Sequence, residues 1–305
     1  MLTPLILHQY AQSPFSEKIR KVLAHKRLAW SAVEQPSIMP KPDLLPLTGG
    51  YRKIPVLQIG ADVFCDTQLI ARTLEWLHPT PTLYPGGTVG TCHAWNLWAD
   101  RLLFLPVVTV VFGEIGSLVP KAFIDDRTRM MPGRNFADLP KDAPHAREQI
   151  RGLVTTLEDQ LADGRPHLLG PDFSLADAAC FHPLWFLRVA PTAARLLEQF
   201  PHVVAWMTRV DAMGAGAATP MPAAEALAIA RASKPAVVPA TDAREPGGLA
   251  PGTRVTVMPD DYGFDPVRGE LVFSSPHEVA LRREDPTLGE IVVHFPRLGF
   301  RVTAD

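Results

Sequence analysis

The chain predicts an α/β domain, then an all-α domain, then a small all-β domain. The first rests on a short apolar strand, Leu5-Ile6-Leu7, that runs into a tight loop and a helix opening at Ser13-Pro14. The second rests on apolar residues recurring at helical spacing across residues 91–213. The third rests on a change of composition after Gly214, with short alternating strands from Thr253 onward. A length of 305 residues suffices for two or three domains, and 47% hydrophobic residues supply a sizeable core. The net charge of -2 gives no reason to expect nucleic acid or a membrane as the main partner. Cys65, Cys92 and Cys180 are odd in number, widely spaced and without a CxxC pair, as in a reducing compartment. Met1 leads directly toward a strand, with no signal peptide pattern, and the apolar run Leu102 to Phe112 is too short to span a bilayer. A soluble cytoplasmic protein is expected.

Strands are expected at residues 4–8, Ala29 to Glu34, Ile54 to Ile59 and Val63 to Cys65. Pro14 to Lys26 reads as a helix with Phe15, Ile19, Val22 and Leu23 on one face. A proline-rich loop spans Pro36 to Leu47, Gly60-Ala61-Asp62 turns the third strand into the fourth, and Asp66 caps a helix through Leu77. The resulting order, β-α-β-loop-β-β-α over residues 1–78, resembles a thioredoxin-like domain.

Residues 78–90 are rich in Pro, Thr and Gly and read as a linker. An all-α domain over residues 90–214 follows. Thr91 to about Gly116 reads as one long helix kinked at Pro106, and Ala146 to Leu161 as a second. Ser174 and Asp177 have the spacing of a capping box, with Asp where Glu or Gln is usual, and Phe173 is placed to staple against Ala178. Helices over Pro191–Phe200 and Val203–Met213 complete the domain. Residues 214–222 read as a linker, Ala223 to Ala232 as one short helix, and residues 234–252 as extended chain. Strands at Arg254–Met258, Glu270–Phe273, Val279–Arg283, Ile291–Phe295 and Phe300–Thr303 make residues 252–305 a small barrel or sandwich, an SH3-like barrel among the arrangements that fit. This segment carries six Arg and nine acidic residues, the wrong balance for nucleic acid.

A helix that opens at Pro14 points free backbone N–H groups and a positive dipole end at whatever lies beside Ser13, and an anion such as a thiolate is stabilised there. Ser13-Pro14-Phe15-Ser16, then Ile54-Pro55-Val56-Leu57, then Asp66-Thr67, then the Ser174–Asp177 cap, in this order and spacing, resemble the cytosolic glutathione S-transferases of the serine or cysteine type. The resemblance covers residues 4–212, and the β segment looks like a domain appended to that fold, as on some bacterial members.

The resemblance implies a glutathione-dependent transferase active in detoxification. Ser13 would stabilise the glutathione thiolate, or else only cap the helix. Ser16 and Tyr10 are weaker alternative donors. A charge-assisted hydrogen bond contributes roughly 1.5–3 kcal/mol, enough to lower a thiol pKa by about one to two units. Pro55 is expected cis, with the Ile54 backbone bonding the cysteinyl part of glutathione as an added strand would. Lys53 would face the glycyl carboxylate or else be a solvated loop lysine. Asp66 and Thr67 would hold the γ-glutamyl end, or Asp66 serve as a plain N-cap, and Phe15 joins the glutathione-binding set. A small apolar electrophile would lie between the two domains, where Trp95, Trp98, Leu102, Phe104 and Phe112 are candidates for lining, although aromatics at this spacing are more often core. Serine at position 13 argues against a thiol–disulfide reductase, since no protein sulfur is there to form a mixed disulfide. No histidine spacing fits zinc, and Asp260-Asp261 with Asp265 reads as a solvated turn rather than a calcium loop. A homodimer is expected from the family. The alternative is a non-catalytic transferase-like scaffold that binds another protein through its surface or its β domain.

Overall fold

The computed structural model describes residues 3–236, 241–242 and 244–305. The chain divides into two compact units, one of Met1–Ser16, Ala29–Thr73 and Ala217–Asp305, the other of Glu17–Leu28 and Leu74–Gly216. The thioredoxin-like domain and the helical domain are both present, with a strand-rich region after them.

The first unit is built on one ten-stranded sheet in the order β10-β6-β7-β8-β9-β4-β3-β1-β2-β5. Its strands are β1 (Ile6–Gln9), β2 (Ala29–Glu34), β3 (Val56–Ile59), β4 (Asp62–Cys65), β5 (Ala217–Pro220), β6 (Arg254–Pro259), β7 (Val267–Ser274), β8 (Glu278–Asp285), β9 (Gly289–Pro296) and β10 (Phe300–Ala304). The five C-terminal strands stand where the alternation placed them. They continue the N-terminal sheet, because β9 pairs parallel with β4, Val63 opposite Val293. At the other edge, the expected linker of residues 214–222 contains β5, which pairs parallel with β2. Ala-Ala-Thr-Pro has no alternation and is fully exposed, so nothing local marks it as a strand; the exposed edge of β2 supplies the pairing. One core joins the two ends of the chain. Leu44, Leu47, Tyr51, Val56, Val63 and Cys65 are buried against Val255, Val257, Leu271, Leu281, Val293, Phe295 and Phe300. Helix α11 (Ala223–Ala232), found where expected, packs Ala226 against Ile6 and Val33.

The expected extended stretch at residues 234–252 includes 237–240 and 243, which lie outside the described residues. Helix α1 (Pro14–His25) runs where its periodicity placed it. The short α2 (Leu45–Thr48) overlaps the end of the span expected as loop, and α3 (Thr67–Leu77) follows Asp66.

The helical unit contains α4 (Val89–Trp98), α5 (Phe104–Ile115), α6 (Lys121–Met130), α7 (Leu139–Leu161), α8 (Leu175–Leu187), α9 (Pro191–Ala194) and α10 (Pro201–Asp211). Just upstream of Pro106, where a kink was expected in one long helix, a π-helical turn, Ala99–Leu103, joins α4 to α5. The proline has no N–H for the carbonyl one turn back, and a widened turn just upstream absorbs the mismatch. The whole run Val89–Leu118 is long and apolar enough to cross a membrane by composition alone. In this unit it packs against α7 and α8, which is the behaviour of a core helix. Helix α7 starts at Leu139, two turns before the expected Ala146, with Pro144 inside it; Leu139 and Ala143 extend the buried face of Ala146 and Ile150. The span expected as one helix at Pro191–Phe200 is α9 followed by a 3-10 turn, Arg195–Gln199.

The capping box at α8 forms. Asp177 Oδ2 accepts from the Ser174 N–H at 2.9 Å and from its hydroxyl at 2.7 Å, while Oδ1 accepts from Leu168 N and Trp206 Nε1, each at 2.8 Å. Phe173 sits against the rings of His25 and His167, with centroids at 4.9 and 5.9 Å, where the sequence suggested Ala178.

Candidate functional site

The sheet register gathers the predicted residues of the first unit at one end. His8 of β1 lies opposite Val56 of β3, and Val56 lies opposite Cys65 of β4. The chain beyond β1, the residues entering β3 and those leaving β4 therefore leave the sheet on the same side. These are the Ser13 loop, Lys53-Ile54-Pro55 and Asp66-Thr67.

Ser13 N donates to Tyr10 O at 3.0 Å, which closes the turn out of β1, and Ser13 Oγ accepts from Ser16 N at 3.1 Å. The serine thus caps α1, and its own hydroxyl proton is left for another acceptor. Ser13 is buried, and Phe15, in the first turn of α1, is half-buried. The buried hydroxyl of Ser16, the weaker alternative donor, has no hydrogen-bond partner among the described residues.

The Ile54–Pro55 bond is cis. Ile54 is half-buried immediately before the strand, with its backbone at the sheet end. Asp66 has φ +71°, a left-handed conformation uncommon outside glycine, and its Oδ1 accepts from Gln68 N at 2.9 Å. The carboxylate thus caps α3 from a conformation that no sequence rule assigns to an N-cap. Thr67, the first residue of α3, is buried.

Lys53 neither sits in solvent nor waits unpaired. Its Nζ lies 2.7 Å from Asp261 Oδ1 and 3.9 Å from the centroid of the Tyr262 ring. Both partners belong to the turn between β6 and β7, the turn expected to be solvated, and lie 208 residues along the chain from the lysine in the case of Asp261. Tyr51 also escaped the sequence reading. Burial pushes its phenol well above the ordinary value, and the negative charge of Asp66 and Asp261 pushes it further. Burial likewise raises the Cys65 thiol, with Asp66 adding to it, which disfavours the thiolate. An aromatic at position 51 and two acids at 260–261 were legible as residues, but nothing local to either segment announces their meeting.

In the helical unit the aromatic candidates divide. Phe104 is buried against His182 and Phe186, which is core. Phe112 packs against Phe123, Phe136 and Phe186. Trp95 and Trp98 meet edge to face at 5.1 Å and are half-buried, while Leu102 is exposed. A buried polar network anchors the π-helical turn: Asp100 accepts from Lys18 Nζ at 2.7 Å and pairs with His182 Nε2 at 2.9 Å. Burial alone would raise the Asp100 carboxyl, but Lys18 and His182 overcome this and hold it low. Burial takes His182 down to about 4 despite its carboxylate neighbour.

A serine-capped helix after the first strand, a cis proline entering the third and an acid–hydroxyl pair opening the next helix mark a domain of thioredoxin type, in a chain that also has a helical domain. The chain belongs to the glutathione S-transferase family. Residues 7–82 match the family's N-terminal domain and residues 127–209 its C-terminal domain. A GST-like protein from Pseudomonas syringae is 39% identical over 100% of both chains, with a TM-score of 0.84. A Tau class glutathione S-transferase from mango, Mangifera indica, shares 18% identity over 70% of this chain and 90% of its own, with a TM-score of 0.55. A beta-etherase from a Sphingobium species shares 18% over 69% and 96%, with a TM-score of 0.56. These two likenesses are of fold alone. No curated protein matches the chain.

Proposed function

We propose that the protein is a glutathione S-transferase that joins the sulfur of glutathione to a small apolar electrophile, with Ser13 stabilising the thiolate. The observation that carries this reading is the convergence of the Ser13 turn, Ile54-Pro55 and Asp66-Thr67 at one end of the sheet. Ser13 Oγ already accepts from Ser16 N–H, so its proton is free to be donated to a sulfur anion near the positive end of α1. The backbone of Ile54 binds the cysteinyl residue in the manner of an added strand. The carboxylate of Asp66 meets the γ-glutamyl ammonium, and the Thr67 hydroxyl and N–H at the start of α3 meet its carboxylate. Phe15, beside Ser13, flanks the bound thiol. The rate gain comes from thiol ionisation and from proximity to the electrophile. The working form is a cytoplasmic homodimer engaged in detoxification, as is ordinary for the family.

The test is calorimetric titration with glutathione, beside a Ser13→Ala variant, with thiolate absorbance followed against pH. The bound thiol should ionise about one to two pKa units lower in the parent than in the variant. Absence of binding at millimolar glutathione would remove the enzyme reading.

A further inference from the structure

Lys53, the residue expected to face the C-terminal carboxylate of glutathione, is already paired with a carboxylate of the protein. This inference rests on the glutathione-site reading and refines its substrate class. Lys53 is a cation on the segment leading into Ile54-Pro55, next to Arg52. Its ammonium is enclosed, the side chain being 12% exposed, between Asp261 Oδ1 at 2.7 Å and the face of Tyr262 at 3.9 Å. The carboxylate is not a wandering surface acid. The same Oδ1 accepts from Tyr262 N at 2.7 Å, and the turn is tied to the sheet by Asp260 N donating to Gly299 O at 3.0 Å. The charges of Asp66 and Asp261 both raise the buried Tyr51 phenol, so both acids lie within electrostatic reach of it. Asp260 and Asp265 add two more carboxylates to the turn, against Arg52 beside the lysine. A ligand anion brought to Lys53 would meet like charge at once, whereas an uncharged or cationic group would not.

We propose that Asp261, braced by Tyr262, is a specificity-determining residue that fills the C-terminal carboxylate subsite, so that the site takes γ-glutamyl thiols whose far end is neutral or cationic, such as an amide or amine conjugate, at least as readily as glutathione. The ion pair and the aromatic face then act as a wall against a neutral or cationic extension of the tripeptide.

Calorimetry of glutathione and its C-terminal amide tests this on the unmodified protein, where no variant need fold. The amide should bind at least as tightly as glutathione. Asp261→Asn should tighten glutathione about tenfold and leave the amide within twofold, and Lys53→Met in that background should abolish the gain. A parent protein that prefers glutathione over the amide by tenfold or more overturns the proposal while leaving the glutathione site standing. So does an Asp261→Asn protein of unchanged preference and unchanged melting temperature. Failure of the parent to bind either ligand at millimolar concentration removes the glutathione site itself, and this inference with it.

Discussion

Asp177 shows how a single side chain can serve folding where its spacing alone signals only a cap. Its two oxygens receive four hydrogen bonds, from Ser174 N and Oγ, Leu168 N and Trp206 Nε1, and the residue is fully buried. A Glu at this position would reach the Ser174 N–H as well, but its longer stem would carry the second oxygen past Leu168 and Trp206. The short acid is what lets one carboxylate hold a helix start, a loop and an indole together. Asp177→Ala should therefore cost far more than a lost cap: four donors would lose their acceptor in the interior, and about 4 kcal/mol of stability should go with them. Urea denaturation of the parent and the variant measures this directly. A loss near 1 kcal/mol, the usual value of an N-cap, would mean that the network contributes nothing beyond the cap. The capping box itself was readable from Ser174 and Asp177; the loop and the indole were not, because Leu168 and Trp206 approach only through the tertiary fold.

Strand β9 was recognisable as a strand from Ile291 to Phe295, and its continuous apolar run is what a strand covered on both faces and paired on both edges looks like. It lies between β8 and β4, and its pairing with β4 could not be read locally because the partners are some 230 residues apart. The seam carries a buried histidine. His294 stacks on Phe64 with centroids at 4.3 Å, its Nε2 lies 3.0 Å from Asp62 Oδ1 and its Nδ1 lies 2.6 Å from Glu278 Oε1. Burial alone would lower its pKa, but hydrogen bonds to Asp62 and Glu278 and the charge of both acids outweigh it and raise it. The native state thus holds the proton to higher pH than the unfolded chain, whose histidine titrates near about 6.5. The contribution is complete below that value and is lost as pH rises through the native pKa. His8 and His182 titrate oppositely: burial brings each to about 4, so the stability they contribute is complete above about 6.5 and is lost progressively as pH falls from there through about 4. The melting temperature of the parent minus that of His294→Gln should therefore shrink as pH rises above about 6.5, and should not change sharply just below it. A difference independent of pH between about 5 and 9 would show that His294 is neutral in the native seam.

The molecule joins its first and last segments in one sheet, and this sets its behaviour on truncation. The local elements were largely legible, since α1, β2, α11 and the five C-terminal strands follow from periodicity, turns and composition. The long-range pairings were not, because β5 has no pattern of its own and β9 meets β4 across most of the chain. The relatives from mango and Sphingobium align with about 70% of this chain yet are covered over 90% and 96% of their own length, so their folds do without an equivalent of much of the remainder. In this protein the surface beneath the remainder is apolar: Leu44, Leu47, Tyr51, Val56, Val63 and Cys65 are buried in the same core as Val255, Leu281, Phe295 and Phe300. Ending the chain at Gly216 would uncover those side chains and open both edges of the N-terminal sheet, β2 by loss of β5 and β4 by loss of β9. At roughly 1.5–3 kcal/mol for each large apolar side chain returned to water, the loss is on the order of 10 kcal/mol. That equals the whole net stability of an ordinary domain, about 5–15 kcal/mol. The truncated protein should be insoluble or lack a cooperative melting transition, and the exposed strand edges should drive its association. Expression of residues 1–216, followed by light scattering and calorimetry, decides the point. A soluble product that melts within a few degrees of the full chain would mean that the C-terminal strands are an attachment to a fold complete without them, as it is in the shorter relatives.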